Sequence, residues 1–99
     1  MNKLLERIQS LVESGQVRVS EHGYDQLADD DLNARDVIAG VRDGQEIEEY
    51  PEYGKGPCVL VLQRDADGAP IHIVWGIPKG ADAPAVVVTA YRPNPKRWD

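Results

Sequence analysis

Four side chains in this sequence are candidates for chemistry near neutral pH. The chain has two histidines, His22 and His72, and either could act as an acid or a base. Tyr91 and Arg92 follow one another towards the C-terminal end. A guanidinium can hold a phosphate or a carboxylate through two parallel hydrogen bonds. We therefore take His22, His72, Tyr91 and Arg92 as the candidate catalytic residues.

Each of these side chains also has a purely structural interpretation. His22 could bond to backbone at the start of a helix, and His72 could be a half-buried neighbour across a sheet; taken singly, these interpretations are favoured. Arg92 could form a salt bridge, for instance with the acidic stretch Glu46–Glu52. A metal site of His22, His72 and a carboxylate can be drawn, but the spacing does not call for it. Phosphate-loop, nucleotide-fold and catalytic-triad signatures are absent, so no metal or cofactor is expected.

Two apolar runs must position His72 and Tyr91. Ile71–Ile77 and Ala85–Tyr91 are rich in β-branched and aromatic residues and are separated by a Pro/Gly-rich break, which predicts two paired strands. Because side chains alternate across a strand, His72 and Tyr91 should share one face of the sheet. The residues predicted to face the helices are Ile71, Ile73, Trp75 and Ile77 on the first strand, and Val86, Val88 and Ala90 on the second.

Helical periodicity and capping residues predict the elements before these strands. The spacing of apolar residues predicts an amphipathic helix over Asn2–Ser14. Ser20 is a plausible N-cap for a helix from Glu21 to about Asp29, and Asn33 begins a third helix that ends at Gly44.

Strand signals fill most of the remaining chain. Val17–Val19 is a candidate short strand, the charged Glu46–Tyr50 is typical of an edge strand, and Cys58–Gln63 is predicted as a buried strand before a turn at Asp65–Gly68. Trp98, in the proline-containing tail, is expected to fold back onto the domain. This order predicts an α+β fold in one domain over residues 1–99, with two or three helices packed on one face of a four-stranded, mainly antiparallel sheet. Ile71–Ile77 is the expected central strand, and the other face is expected to be partly open.

Composition narrows the function classes. The net charge of −6 counts against nonspecific nucleic-acid binding, which usually needs a basic surface. The single cysteine, Cys58, excludes an intramolecular disulfide and suits a reducing cytoplasm. The charged N-terminal stretch does not resemble a signal peptide, and no run approaches the roughly 20 apolar residues of a membrane span. We therefore expect a cytoplasmic protein without a membrane partner.

An ordered set of short motifs resembles a known family. They are Ser20-Glu-His22, Asp36-Val37 followed by Gly44, Ile47-Glu-Glu-Tyr50-Pro51, Leu60-Val-Leu62, Asp67-Gly68-Ala-Pro70-Ile-His72-Ile-Val74, Thr89-Ala-Tyr91-Arg92-Pro93 and Trp98. In this order they resemble the DUF4258 family of small bacterial proteins. The resemblance runs from about Val17 to Trp98 and leaves the helix over residues 2–14 outside it.

The resemblance carries expectations about function. The family is largely uncharacterised and looks like the compact α+β toxins of the RelE/barnase-like ribonuclease group. Members of the family often sit beside a zinc-finger antitoxin. The resemblance therefore implies an RNA-binding or RNA-cleaving component of a toxin–antitoxin pair. The site carried over would be His22, His72, Tyr91 and Arg92, with a histidine as base or acid and Arg92 on the phosphate.

One departure from the family pattern bears on activity. The helix after the first histidine usually carries two arginines in this family, and those positions hold Gln26 and Asp30 here. Cleaving RNA requires cations where negative charge develops. The alternative to a ribonuclease is a non-catalytic protein-interaction module that kept the fold, and a small-molecule hydrolase using His22 and His72 is a third. The sequence is compatible with an enzyme and with a binding protein.

Overall fold

The computed structural model describes residues 3–93 as helices packed on one sheet, which confirms the predicted α+β class. The helices are α1 Lys3–Glu13, α2 Glu21–Asp29 and α3 Ala34–Gly40, which continues into a short 3-10 helix, Val41–Asp43. The strands are β1 Val17–Val19, β2 Gln45–Tyr50, β3 Cys58–Arg64, β4 Pro70–Gly76 and β5 Ala85–Tyr91. The predicted fold-back of Trp98 lies outside the described residues.

The sheet has five strands in the order β1-β5-β4-β3-β2. As predicted, β4 is central, and β2 is an edge strand whose residues are all exposed. The expectation of four strands is wrong because β1 joins the other edge, parallel to β5, with Val17 opposite Ala85. Although β1 has only three residues, it alternates like the other strands: Val19 contributes to the core while Arg18 points outwards.

All the helices cover one face of this sheet, which we call the inner face. Their buried residues, including Leu5 and Ile8 of α1, Leu27 of α2 and Val37 of α3, belong to one core that also holds the inner side chains of β3, β4 and β5. The opposite face, which is called the outer face below, carries no helix from residues 3–93. None of the helices within residues 3–93 is long and apolar enough to cross a membrane.

An irregularity in β5 overturns part of the predicted alternation. The register with β4 shifts between Val74 and Trp75, so that Val74 lies opposite Thr89 while Trp75 lies opposite Val87. The extra residue, Val88, forms a β-bulge. Val87 and Ala90 therefore both face the core, and the prediction that Val86 and Val88 face the helices is wrong.

Ser20 connects this bulge to the start of α2. Its backbone N–H donates to the Val87 carbonyl at 3.0 Å, and its hydroxyl donates to the Val88 carbonyl at 3.0 Å. The same hydroxyl oxygen accepts from the Gly23 N–H at 2.9 Å, which confirms Ser20 as the N-cap. A Cβ at Gly23 would lie 2.6 Å from the Val87 carbonyl oxygen, so the close approach of α2 to β5 requires glycine here.

A polar network on the inner face is centred on Gln63. Trp75, fully buried, donates its indole N–H to Gln63 Oε1 at 2.7 Å, and Gln63 Nε2 donates to the Val37 carbonyl at 2.7 Å. Both ends of the amide are thus satisfied although Gln63 is only 2% exposed. Hydrogen bonding of this kind offsets the cost of burying the amide and ties α3 to β3 and β4.

Candidate functional site on the outer face of the sheet

His72 and Tyr91 are direct neighbours on the outer face. They are opposite one another in the β4–β5 register, and His72 Nδ1 lies 3.1 Å from the Tyr91 hydroxyl. Their rings meet edge to face, with centroids 5.2 Å apart. His72 is 8% exposed and Tyr91 is 37% exposed, so the pair reaches solvent through the tyrosine.

Burial favours the neutral form of His72. Loss of solvent lowers the pKa of the imidazole below its usual value of 6.5, so the ring is neutral at pH 7. A neutral imidazole has one ring nitrogen that donates and one that accepts, and a hydroxyl can do either. The contact with Tyr91 is therefore compatible with both tautomers, and it could move a proton between the two side chains.

Arg92 lies in different surroundings. Its Nη1 donates to Asp65 Oδ2 at 2.9 Å, and its backbone N–H donates to Asp30 Oδ2 at 2.9 Å. The suggested salt bridge thus exists, but its partner is Asp65 in the β3–β4 turn instead of a residue of Glu46–Glu52. The hydrogen bond from the backbone N–H of Ala69 is the main cause of a lowered pKa for Asp65, and the hydrogen bond from Arg92 lowers that pKa further.

The surface beside Arg92 is acidic. Four carboxylates, those of Asp31, Asp36, Asp65 and Asp67, line one shallow depression together with Arg92 and Ile71. Ile71 belongs to the inner-face core, so this depression opens away from the outer face that carries His72 and Tyr91. A phosphate at Arg92 would meet several negative charges.

His22 lines a separate depression. It is an exposed residue in the first turn of α2, and it borders a depression of about 600 Å³ that we call the His22 depression. The residues at its floor include Cys58, Gly76, Val86 and Val88. The exposed residues at its rim include Arg18, His22, Tyr53 and Lys55. His72, Tyr91 and Arg92 are not among its lining residues. Of the four predicted residues, the structure thus brings only His72 and Tyr91 into contact with one another.

The rest of the outer face is aliphatic and aromatic. Leu60, Val74 and Thr89 form a half-buried row across β3, β4 and β5, and Leu62 lies beside His72. Tyr50, on β2, is 39% exposed and donates its hydroxyl to Glu48 Oε2 at 2.8 Å. That hydrogen bond is the main cause of a raised pKa for Tyr50, with smaller contributions from burial, the Glu48 charge and Tyr91.

Sequence reasoning did not identify Arg18, Tyr53 and Lys55 as neighbours of His22. The Val-Arg-Val pattern of β1 does indicate that Arg18 points away from the core. Its position beside Val86, however, depends on the parallel pairing of β1 with β5, which no local pattern encodes. Lys55 and Tyr53 reach the same depression through the β2–β3 loop, whose path is also set by tertiary contacts.

No group of three or more His, Cys, Asp or Glu within residues 3–93 is placed to hold a metal ion.

Comparison with known proteins matches this chain to a family profile. The profile of a family described as a domain of unknown function, DUF4258, matches residues 19–92. No curated protein and no solved structure matches the chain. The matched range contains all four candidate residues and begins after α1.

Proposed function

This chain belongs to the DUF4258 family, and we propose that it binds a protein partner across the outer face of its sheet and does not cleave RNA. The observation that carries the proposal is the composition of that face. Half-buried Leu60, Leu62 and Val74 lie between two exposed tyrosines, Tyr50 and Tyr91, with no described helix above them. We call this set of five residues the tyrosine face.

The tyrosine face has the features of a recognition surface. Tyrosine supplies a large apolar ring with a polar end and is enriched among the residues that dominate binding energy. Contiguous apolar surface with a polar rim often marks a site of protein association. Leucine and valine side chains between the two tyrosines would lose their remaining exposure when a partner covers them.

Charge indicates the chemistry of the partner. The adjacent edge strand β2 and the turn after it carry Glu46, Glu48, Glu49 and Glu52, all exposed, and the chain has a net charge of −6. A partner with basic residues around an apolar centre would be electrostatically complementary. In the toxin–antitoxin setting that the family resemblance implies, an antitoxin would be such a partner.

The surroundings of Arg92 disfavour RNA cleavage. The Asp30 carboxylate, at a position where the family pattern has an arginine, accepts a hydrogen bond from the Arg92 backbone. The guanidinium itself is engaged by Asp65. Negative charge at these two positions would repel a phosphate and would oppose the charge that develops during cleavage.

The partner test uses the protein encoded beside this one. The two proteins would be purified separately and titrated by calorimetry, with Tyr50→Ala and Tyr91→Ala as test variants. Loss of a central tyrosine typically weakens binding about 30-fold or more. Tyr24→Ala is the matched control, because Tyr24 is 58% exposed but lies on α2 outside the tyrosine face.

We expect tight binding that both test variants weaken and that Tyr24→Ala leaves unchanged. Absence of binding, or equal affinity in all variants, would contradict the proposal. Thermal melts of each variant exclude misfolding as the cause of a loss.

RNA cleavage is the second candidate, and the contact of His72 with Tyr91 is the observation that favours it. A neutral imidazole beside a hydroxyl has the composition of an acid–base pair. Purified protein would be incubated with mixed RNA alongside a His72→Ala control. We expect no cleavage and no growth arrest on overproduction. Robust cleavage that disappears in the control would restore the ribonuclease hypothesis.

A further inference from the structure

The His22 depression combines an apolar floor with a cationic rim. Val86 and Val88 both contribute to the floor because the bulge at Val88 directs it towards the outer face. Gly76 is buried at the bottom of the depression, where a Cβ would lie 3.0 Å from Cys58 Sγ, so Cys58 and Val88 pack closely around it. A planar or aliphatic group could lie against these residues.

The cations at the rim have no acidic partner within residues 3–93. Neither Arg18 nor Lys55 forms an ion pair or a side-chain hydrogen bond with a residue that the structure describes, although the whole chain has 17 acidic residues. In contrast, Arg92 is paired with Asp65. Among the lining residues that the structure describes, the one carboxylate is that of Glu21, at the start of α2.

We propose that the His22 depression binds a small organic anion. The apolar part of the ligand lies on Val86 and Val88, and its carboxylate or phosphate group is held at the rim by Arg18 and Lys55. Such sites typically combine apolar walls with a few charged groups that orient the ligand. Arg18, Lys55 and His22 all line the depression, and each carries N–H donors for a bound anionic group.

This inference is independent of the protein-binding role. The tyrosine face and the His22 depression occupy different parts of the outer face, and neither of the tyrosines tested above, Tyr50 and Tyr91, lines the depression. Loss of one activity would therefore not imply loss of the other.

The test uses amide chemical shifts of the full-length protein during titration with phenyl phosphate, phenylacetate and benzyl alcohol. The first two share an aromatic ring and an anionic group, and the third has the ring without the charge. We expect saturable shifts at Arg18, His22 and Lys55 and along Val86–Val88 with an anionic ligand. The anion that binds with the higher affinity shows whether the site prefers a phosphate or a carboxylate group. Benzyl alcohol should bind more weakly than either.

Charge-reversal variants locate the anionic group. Arg18→Glu and Lys55→Glu should each weaken binding about tenfold or more, since each removes a charge-assisted hydrogen bond. Arg35→Glu makes the same charge change on α3 at an exposed position and should leave the affinity unchanged. If a reversal disturbs the spectrum of the free protein, Lys55→Gln provides a milder test of the same position.

The inference would be overturned by unsaturable shifts with both anions, by shifts centred away from the depression, or by equal weakening by Arg35→Glu and the two rim variants. Binding of benzyl alcohol as tight as that of the anions would contradict the role of the rim cations.

Discussion

The central strand β4 has two faces that differ in how completely their polar groups are enclosed. On the inner face, Trp75 is fully buried and its indole N–H is bonded to a buried glutamine. On the outer face, His72 is nearly buried, but its tyrosine partner is 37% exposed. One face therefore contributes mainly to stability, whereas the other leaves polar and aromatic groups available to a ligand or partner. Alternation along a single strand is enough to separate the two roles.

Truncating a buried side chain of the inner face should give the largest loss of stability. Trp75→Ala is expected to lower the free energy of unfolding by about 3–5 kcal/mol, because it removes a large buried ring and leaves a cavity. Denaturant melts measure the change. A loss below about 1 kcal/mol would show that Trp75 is peripheral and that the contrast between the faces is mistaken.

Disrupting the polar network around Gln63 should lower the free energy of unfolding by an intermediate amount. Gln63→Leu leaves both the Trp75 indole N–H and the Val37 carbonyl buried without their partner, and an unsatisfied buried group costs about 1–3 kcal/mol. Trp75→Phe removes the indole donor by itself. Melts of both variants and of the double variant would give their coupling energy. Additive losses would contradict a direct interaction.

On the outer face, His72 should mainly influence how the free energy of unfolding depends on pH. Burial lowers the pKa of His72 in the folded protein, so the unfolded chain binds the proton more readily. The free energy of unfolding should therefore fall as the pH drops below the usual histidine pKa of 6.5 towards the lower folded pKa, and it should be unaffected by this group at higher pH.

Denaturant melts between pH 5 and pH 8 would isolate this contribution as the difference between the wild type and His72→Phe. The variant His22→Ala keeps His72 and should therefore keep the same contribution. Parallel curves for the wild type and His72→Phe would show that burial of His72 does not influence stability through its protonation.

Local patterns predicted much of this molecule. The N-caps at Ser20 and Asn33 satisfy free N–H groups at the helix starts, and such contacts involve neighbours in the chain. The apolar residues on both faces of Ile71–Ile77 predicted a central β4, and the charge of the short Glu46–Tyr50 stretch predicted an edge strand at β2. Alternation along β4 and β5 also predicted that His72 and Tyr91 share one face. This prediction is confirmed because both residues lie on the same side of the bulge at Val88.

The sequence by itself thus determined where helices and strands form and which residues of β4 are buried, because periodicity and capping depend on near neighbours. Only the tertiary structure decided the parallel addition of β1, the bulge at Val88 and the pairing of Arg92 with Asp65. It also separated His22 from the contact between His72 and Tyr91. Each of these features joins residues far apart in the chain, and their geometry follows from how the packed elements meet.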